Sequence, residues 1–170
     1  MKTTTILKLD PKDPDLSKIR EVVRGAREGK IVAFPTETVY GIGGPASLPS
    51  IIPALDVIKN RESGKHYTVH IGSFDMLDFL KIKKTSKFRF LVRRFWPGPL
   101  TLIVPTEKDE KIGIRFPKNR LAAALINACG EPFLGTSANL SGQPSPVCAQ
   151  DVMKQLEGRI DYIIDGGKTD

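Results

Sequence analysis

The sequence predicts a single α/β domain built on a twisted sheet. Three observations carry that expectation. The chain has 170 residues, enough for one compact core and too few for two. Short apolar runs of strand character alternate along it with segments whose apolar residues recur at helical spacing. No internal repeat, low-complexity tract or linker divides it, so one domain is expected to run from 1 to 170.

Asp13-Pro14 reads as an N-cap followed by proline at the first helical position, and Leu16, Ile19, Val22, Val23 and Ala26 recur at helical spacing before Gly29. A helix over about 14–28 follows from this. Ile31 to Phe34 is a short apolar run closed by Pro35, the pattern of a buried strand. The next stretch, PTETVYGIGG, is so rich in Gly and Thr that it reads as a loop at the strand end. Leu48, Ile51, Ile52, Leu55 and Ile58 predict a second helix, with Ser47 as a cap and Pro53 distorting or shortening it. Lys59 and Arg61 stand at its C-terminal end.

Tyr67 to Ile71 alternates as a strand does, and the basic segment ending at Trp96 reads as helix. Pro97-Gly98-Pro99 then turns the chain into the strand-like LTLIV of 100–104. Ile112 to Phe116 is a further strand, on which Arg115 points opposite to Ile114 and Phe116. Leu121 to Cys129 is rich in Ala and Leu and predicts a helix ended by Gly130. Phe133 and Leu134 lead into GTSANLSG, a helix near 149–156 follows, and DYIID at 161–165 is the last strand before a Gly166-Gly167 turn.

Lys and Arg outnumber Asp and Glu by 26 to 19, a net charge of +7, which favours anionic partners such as nucleotides, RNA or acidic surfaces without choosing among them. The densest basic cluster, Lys81 to Arg94, fits either an RNA-facing stripe or an amphipathic helix with a solvated basic face. No apolar run nears the roughly 18 residues that span a bilayer, and Met1 to Leu9 has no secretory h-region, so a cytoplasmic protein without membrane attachment is expected. Cys129 and Cys148 lie far apart and outside any CxxC arrangement, so two buried thiols are expected, neither of them a covalent nucleophile. His66 and His70 are four apart and could share a strand face, but without a third ligand they make a poor metal site. The GGKT at 166–169 is not a phosphate-binding P-loop, because the required first glycine falls at Tyr162.

Four segments concentrate small polar and cationic residues: PTETVYG (35–41), KNR (59–61), GIRFP (113–117) and TSANLSG (136–142). With WPGPLT at 96–101, and in this order from about residue 15 to Gly167, they resemble the threonylcarbamoyl-adenylate synthases of the YrdC-like family. The resemblance implies a YrdC/RibB-like, largely mixed sheet flanked by helices. It implies a nucleotidyltransferase that condenses L-threonine, bicarbonate and ATP to threonylcarbamoyl-adenylate and pyrophosphate, the donor for threonylcarbamoyladenosine in tRNA.

Carried over residue by residue, the resemblance assigns ATP to Lys59, Arg61, Ser137, Asn139 and Ser145, and L-threonine to Thr36, His70, Arg115 and the backbone of Gly135. Such chemistry gathers negative charge, which Lys and Arg neutralise and orient without a covalent intermediate. Magnesium is expected to arrive with the nucleotide, bound by phosphate oxygens and water rather than by protein side chains. tRNA or double-stranded RNA and a downstream tRNA threonylcarbamoyl transferase complex are the implied macromolecular partners.

Read without the resemblance, Lys59 and Arg61 are equally cations at a helix C-terminus, where the helix dipole favours them. Arg115 could equally sit on the open side of a sheet. Ser137 and Asn139 face the same way if Thr136 to Asn139 is extended, or close a turn through their own backbone. A non-catalytic RNA-binding module on the same fold, or a related carbamoyl-adenylate enzyme with another acceptor, are the alternative readings. Two departures from the family pattern stand out. The sequence stops at Asp170 just after the DGG that the family follows with a Glu-Ser-Thr segment, which fits either a shortened sequence or a variant with weakened activity; His66-Tyr67 also stand where family members carry Pro-Leu.

Overall fold

The computed structural model describes residues 3–60 and 66–169. Within them one mixed sheet is built from β1 (Thr5–Lys8), β2 (Val32–Pro35), β3 (Tyr40–Pro45), β4 (Thr68–His70), β5 (Leu102–Pro105), β6 (Lys111–Arg115), β7 (Phe133–Ser137) and β8 (Tyr162–Asp165). Their spatial order is β1-β8-β2-β3-β7-β4-β6-β5. β8 runs parallel to both β1 and β2, and β4 runs parallel to β6, while every other neighbouring pair is antiparallel. The helices are α1 (Leu16–Arg27), α2 (Ile51–Lys59), α3 (Ser86–Phe95), α4 (Arg120–Cys129) and α5 (Ala149–Leu156). The α/β class and the mixed sheet expected from the sequence are what the chain forms.

Successive residues of a strand face opposite sides of a sheet, and the apolar residues divide accordingly. Val32 and Phe34 join one core cluster with Val22 of α1, Phe88 of α3 and Leu125 of α4. Ile31 and Ala33 join a second, with Leu55 of α2 and Val152 of α5. Ile164 and Ile163 split between the same two clusters. Central strands covered on both faces read as continuous apolar runs, which is why Ile31 to Phe34 lacks a polar alternation.

Several boundaries differ from the sequence expectation. The first helix is capped by Asp15, whose carboxylate accepts from the Ser17 and Lys18 N–H groups, and not by Asp13. Pro14 lies ahead of that cap, where its ring disfavours helical backbone at Asp13, which lies in a bend, and the helix starts later. Ser47 does not cap α2, since its N–H and hydroxyl both bond Glu131, and the helix opens after Ser50. Pro53 falls in the first turn, where its missing N–H has no intrahelical acceptor to lose. The basic helix covers only Ser86–Phe95, because Ile82 bridges Thr106, Lys83 N–H donates to the Pro105 carbonyl, and Thr85 caps Phe88. The largely exposed edge strand β1 has no counterpart in the sequence expectation.

The main correction is β3. The sequence pattern of PTETVYGIGG predicts a loop, yet Tyr40–Pro45 is a fully buried strand between β2 and β7. Its glycines allow a close approach of backbones: a Cβ on Gly43 would stand 2.1 Å from the Leu134 carbonyl oxygen. Glycine here marks tight strand packing and not a turn.

Candidate active site

β4, β6 and β7 lie side by side, and their pairing sets Thr68 beside both Gly113 and Gly135, and His70 beside Arg115. Over these strands folds the β2–β3 turn, residues 36–39. Thr36 is almost wholly buried and closes this turn: its hydroxyl donates to the Val39 carbonyl at 2.6 Å and accepts from the Thr38 and Val39 N–H groups. Between turn and strands lies a cavity of about 170 Å³, walled by Thr36, Thr68, His70, Arg115, Thr136 and Ser137, among others. It is smaller than the roughly 300–1,000 Å³ of pockets for drug-sized ligands.

Two residues of this wall each hold a buried polar atom with no hydrogen-bond partner among the described residues, Nδ1 of His70 and Nε of Arg115, and among those residues only Asn139 Oδ1 shares that condition. Buried polar groups are almost always paired, so two orphans on one small cavity point to a ligand. Burial pushes the His70 imidazole down to about 4, with the nearby Arg115 charge adding to the effect and a backbone hydrogen bond with Thr68 opposing it. The ring is therefore neutral at neutral pH and offers one acceptor and one donor. Arg115 is held by Glu37 at 2.8 Å and by the Thr38 hydroxyl at 2.9 Å, both on the same terminal nitrogen. A cationic N–H beside a neutral imidazole suits a small ligand carrying a carboxylate and a hydroxyl or amine.

Lys59 ends α2, but its side chain does not extend into solvent. It is 3% exposed, and Nζ donates to the carbonyls of Ser137 at 2.7 Å and Asn139 at 2.6 Å. The Lys59 carbonyl in turn accepts from the Ser141 N–H. A buried ammonium thus holds the loop after β7 and puts a positive charge beneath it. Asn139 lies past the end of β7, with its amide folded back onto the Leu140 and Gln143 carbonyls, each at 2.8 Å. Ser137 and Asn139 consequently do not share one extended face, and of the two only Ser137 lines the cavity.

With this geometry in place the comparisons decide the family. The Sua5, YciO and YrdC family model, described as "Telomere recombination", matches residues 25–170. The chain belongs to this family. It is 40% identical to the threonylcarbamoyl-AMP synthase of Bacillus subtilis over 95% of its own length and 49% of the relative's. Its fold superposes with a TM-score of 0.92 on Pyrococcus abyssi Sua5 complexed with L-threonine, at 36% identity, covering 98% of this chain and 51% of that one. Escherichia coli YciO superposes at 0.85 and 25% identity, covering 100% of this chain and 86% of that one. The chain thus spans about half the length of the first of these relatives.

Within this member of the family the structure brings Thr36, His70, Arg115 and Ser137 to one cavity, with Gly135 beside His70: a Cβ at Gly135 would stand 3.2 Å from His70 Nδ1. Lys59 and Asn139 meet in the adjoining loop. Ser145 stands apart, exposed on a separate cleft of about 310 Å³ with Gln143, Asp151 and Lys154. Arg61 lies outside the described residues. His66 is exposed and precedes β4, so it shares no strand face with His70. Cys129 is buried, which raises its thiol, whereas Cys148 is only half-buried at the start of α5. Sequence reasoning missed Glu37, Thr38 and Thr101; the first two belong to PTETVYG and the third to WPGPLT, so the matched segments contained the signal. Among the described residues no group of three or more His, Cys, Asp and Glu side chains is placed to hold a metal ion, and no helix is long and apolar enough to cross a membrane.

Proposed function

We propose that this chain carries the threonylcarbamoyl-AMP synthase reaction, joining L-threonine, bicarbonate and ATP into threonylcarbamoyl-AMP with release of pyrophosphate and water. The observation that carries the reading is the pair of unpartnered groups, Arg115 Nε and His70 Nδ1, on one cavity of amino-acid size. The names of the relatives and the L-threonine complex of the Pyrococcus protein support it.

In this reading Arg115 takes the threonine carboxylate, and His70 exchanges a hydrogen bond with its hydroxyl or amine. Thr36 and the Gly135 backbone complete the threonine site. Bicarbonate carbon bonds the threonine nitrogen, and a carbamate oxygen then displaces pyrophosphate from the α-phosphorus of ATP. The triphosphate lies along the loop after β7, with Ser137, Asn139 and Arg61 as its contacts, Lys59 holding that loop from beneath and supplying positive charge, and Ser145 further out. Magnesium enters with the phosphates, which it prefers as ligands along with water. The product serves tRNA modification in the cytoplasm, passing to a tRNA threonylcarbamoyl transferase complex.

Calorimetry tests the site directly: L-threonine binds the native chain in the presence of ATP, and Arg115→Ala abolishes that binding while leaving ATP affinity in place. Threonine affinity unchanged by Arg115→Ala overturns the assignment. Binding of RNA without any ATP or threonine binding would favour a non-catalytic RNA module, and turnover with another acceptor a related carbamoyl-adenylate enzyme.

A further inference from the structure

We propose that Glu37 is a positioning residue for Arg115, fixing the guanidinium so that its Nε–H is the donor reserved for the substrate carboxylate; this rests on the threonine reading above. Glu37 is not part of the cavity wall, so whatever it does for a ligand it does through another group. Its carboxylate has two fixed partners. Oε1 accepts from Arg115 Nη2 at 2.8 Å, and Oε2 accepts from the Lys118 backbone N–H at 3.1 Å, just beyond β6. The β2–β3 turn is thereby clasped to the strand end that carries Arg115.

The same Nη2 also donates to Thr38 Oγ1 at 2.9 Å, and Thr38 Oγ1 lies 3.1 Å from the turn-closing Thr36 Oγ1. A terminal guanidinium nitrogen bears two hydrogens, and both are committed. Because the guanidinium is planar and rigid, fixing one nitrogen twice fixes the plane, and with it the direction of Nε–H. That Nε is buried and has no partner among the described residues. The ion pair is 12–13% exposed at its side chains, so a carboxylate removed here leaves a nearly buried charge unpaired, and the arginine must turn toward another partner or water.

A second effect acts in the opposite direction. Glu37 is an anion beside the arginine, and by Coulomb repulsion it weakens the hold on any further carboxylate. Positioning and repulsion predict opposite signs, and three substitutions separate them. Glu37→Gln keeps an acceptor oxygen for Arg115 and removes the charge. Glu37→Asp keeps the charge but draws the carboxylate back by one methylene. Glu37→Ala removes both.

Threonine and ATP affinities are measured separately by calorimetry on the full chain, with thermal melts on each variant. Positioning predicts that Glu37→Ala and Glu37→Asp lose threonine affinity by about tenfold or more, that Glu37→Gln stays within about threefold of native, and that ATP affinity moves by less than about twofold throughout. A merely structural role would lower both affinities together. If Glu37→Ala does not fold, Glu37→Asp against Glu37→Gln decides the question alone. Native-like or tighter threonine binding in Glu37→Asp or Glu37→Ala overturns the positioning proposal and leaves the threonine reading standing. Failure of the native chain to bind threonine overturns the threonine reading, and positioning with it.

Discussion

Replacing His70 with Gln should remove a defined part of the acid sensitivity of the fold. The imidazole is buried at 6% exposure and is lowered from 6.5 to about 4, first by desolvation and then by the Arg115 charge. A histidine whose folded value lies below its unfolded one binds fewer protons when folded, so it contributes stability that is fully present above about pH 6.5 and is lost as pH falls toward 4. At ~1.4 kcal/mol per pH unit, the span from 6.5 to about 4 corresponds to about 3.5 kcal/mol, of which about 3 kcal/mol is lost by pH 4, where the folded ring is half protonated. Urea denaturation of both proteins at intervals from pH 7.5 to 4 isolates this part, because the remaining titrations cancel in the difference. The native chain should lose about 3 kcal/mol more than His70→Gln over that range. Parallel stability curves for the two would refute the reasoning, and would mean that the ring takes up its proton in the folded state at the same pH as in the unfolded chain.

Two further substitutions probe the scaffold around the site. Lys59→Met deprives the Ser137 and Asn139 carbonyls of a charged donor; it should cost about 3 kcal/mol in denaturant unfolding and about tenfold or more in ATP affinity by calorimetry. Gly43→Ala places a methyl 2.1 Å from the Leu134 carbonyl oxygen; a loss of about 3 kcal/mol or more is expected, read as a lower midpoint in the same denaturation assay.

Helical spacing and terminal residues made α1, α4 and α5 legible in the sequence, because amphipathic periodicity and glycine stops are local signals. Tyr40–Pro45 was illegible for a non-local reason: its glycines look like turn formers until Leu134 is seen to occupy the space a side chain would need. Among the proposed site residues, Thr36 and Arg115 stand in matched segments and His70 on the YTVHI strand outside them, and their meeting on one cavity required the pairing of β4, β6 and β7. Lys59 read equally well as a solvated cation, since nothing local says that its ammonium is buried under a loop some 80 residues later in the chain. Asn139 misled for the converse reason: the strand stops at Ser137, and side-chain bonds to Leu140 and Gln143 replace the extended backbone that the spacing suggested. Glu37 was passed over because its role depends on a strand end far away in sequence.

The central claim is tested most directly by pyrophosphate release from ATP by the 170-residue chain, measured with L-threonine and bicarbonate supplied together, singly and not at all. Release that requires both, is abolished by Arg115→Ala, and is accompanied by threonylcarbamoyl-AMP in stoichiometric amount is the predicted result. Release independent of threonine, or none with both substrates saturating a folded chain, would contradict it.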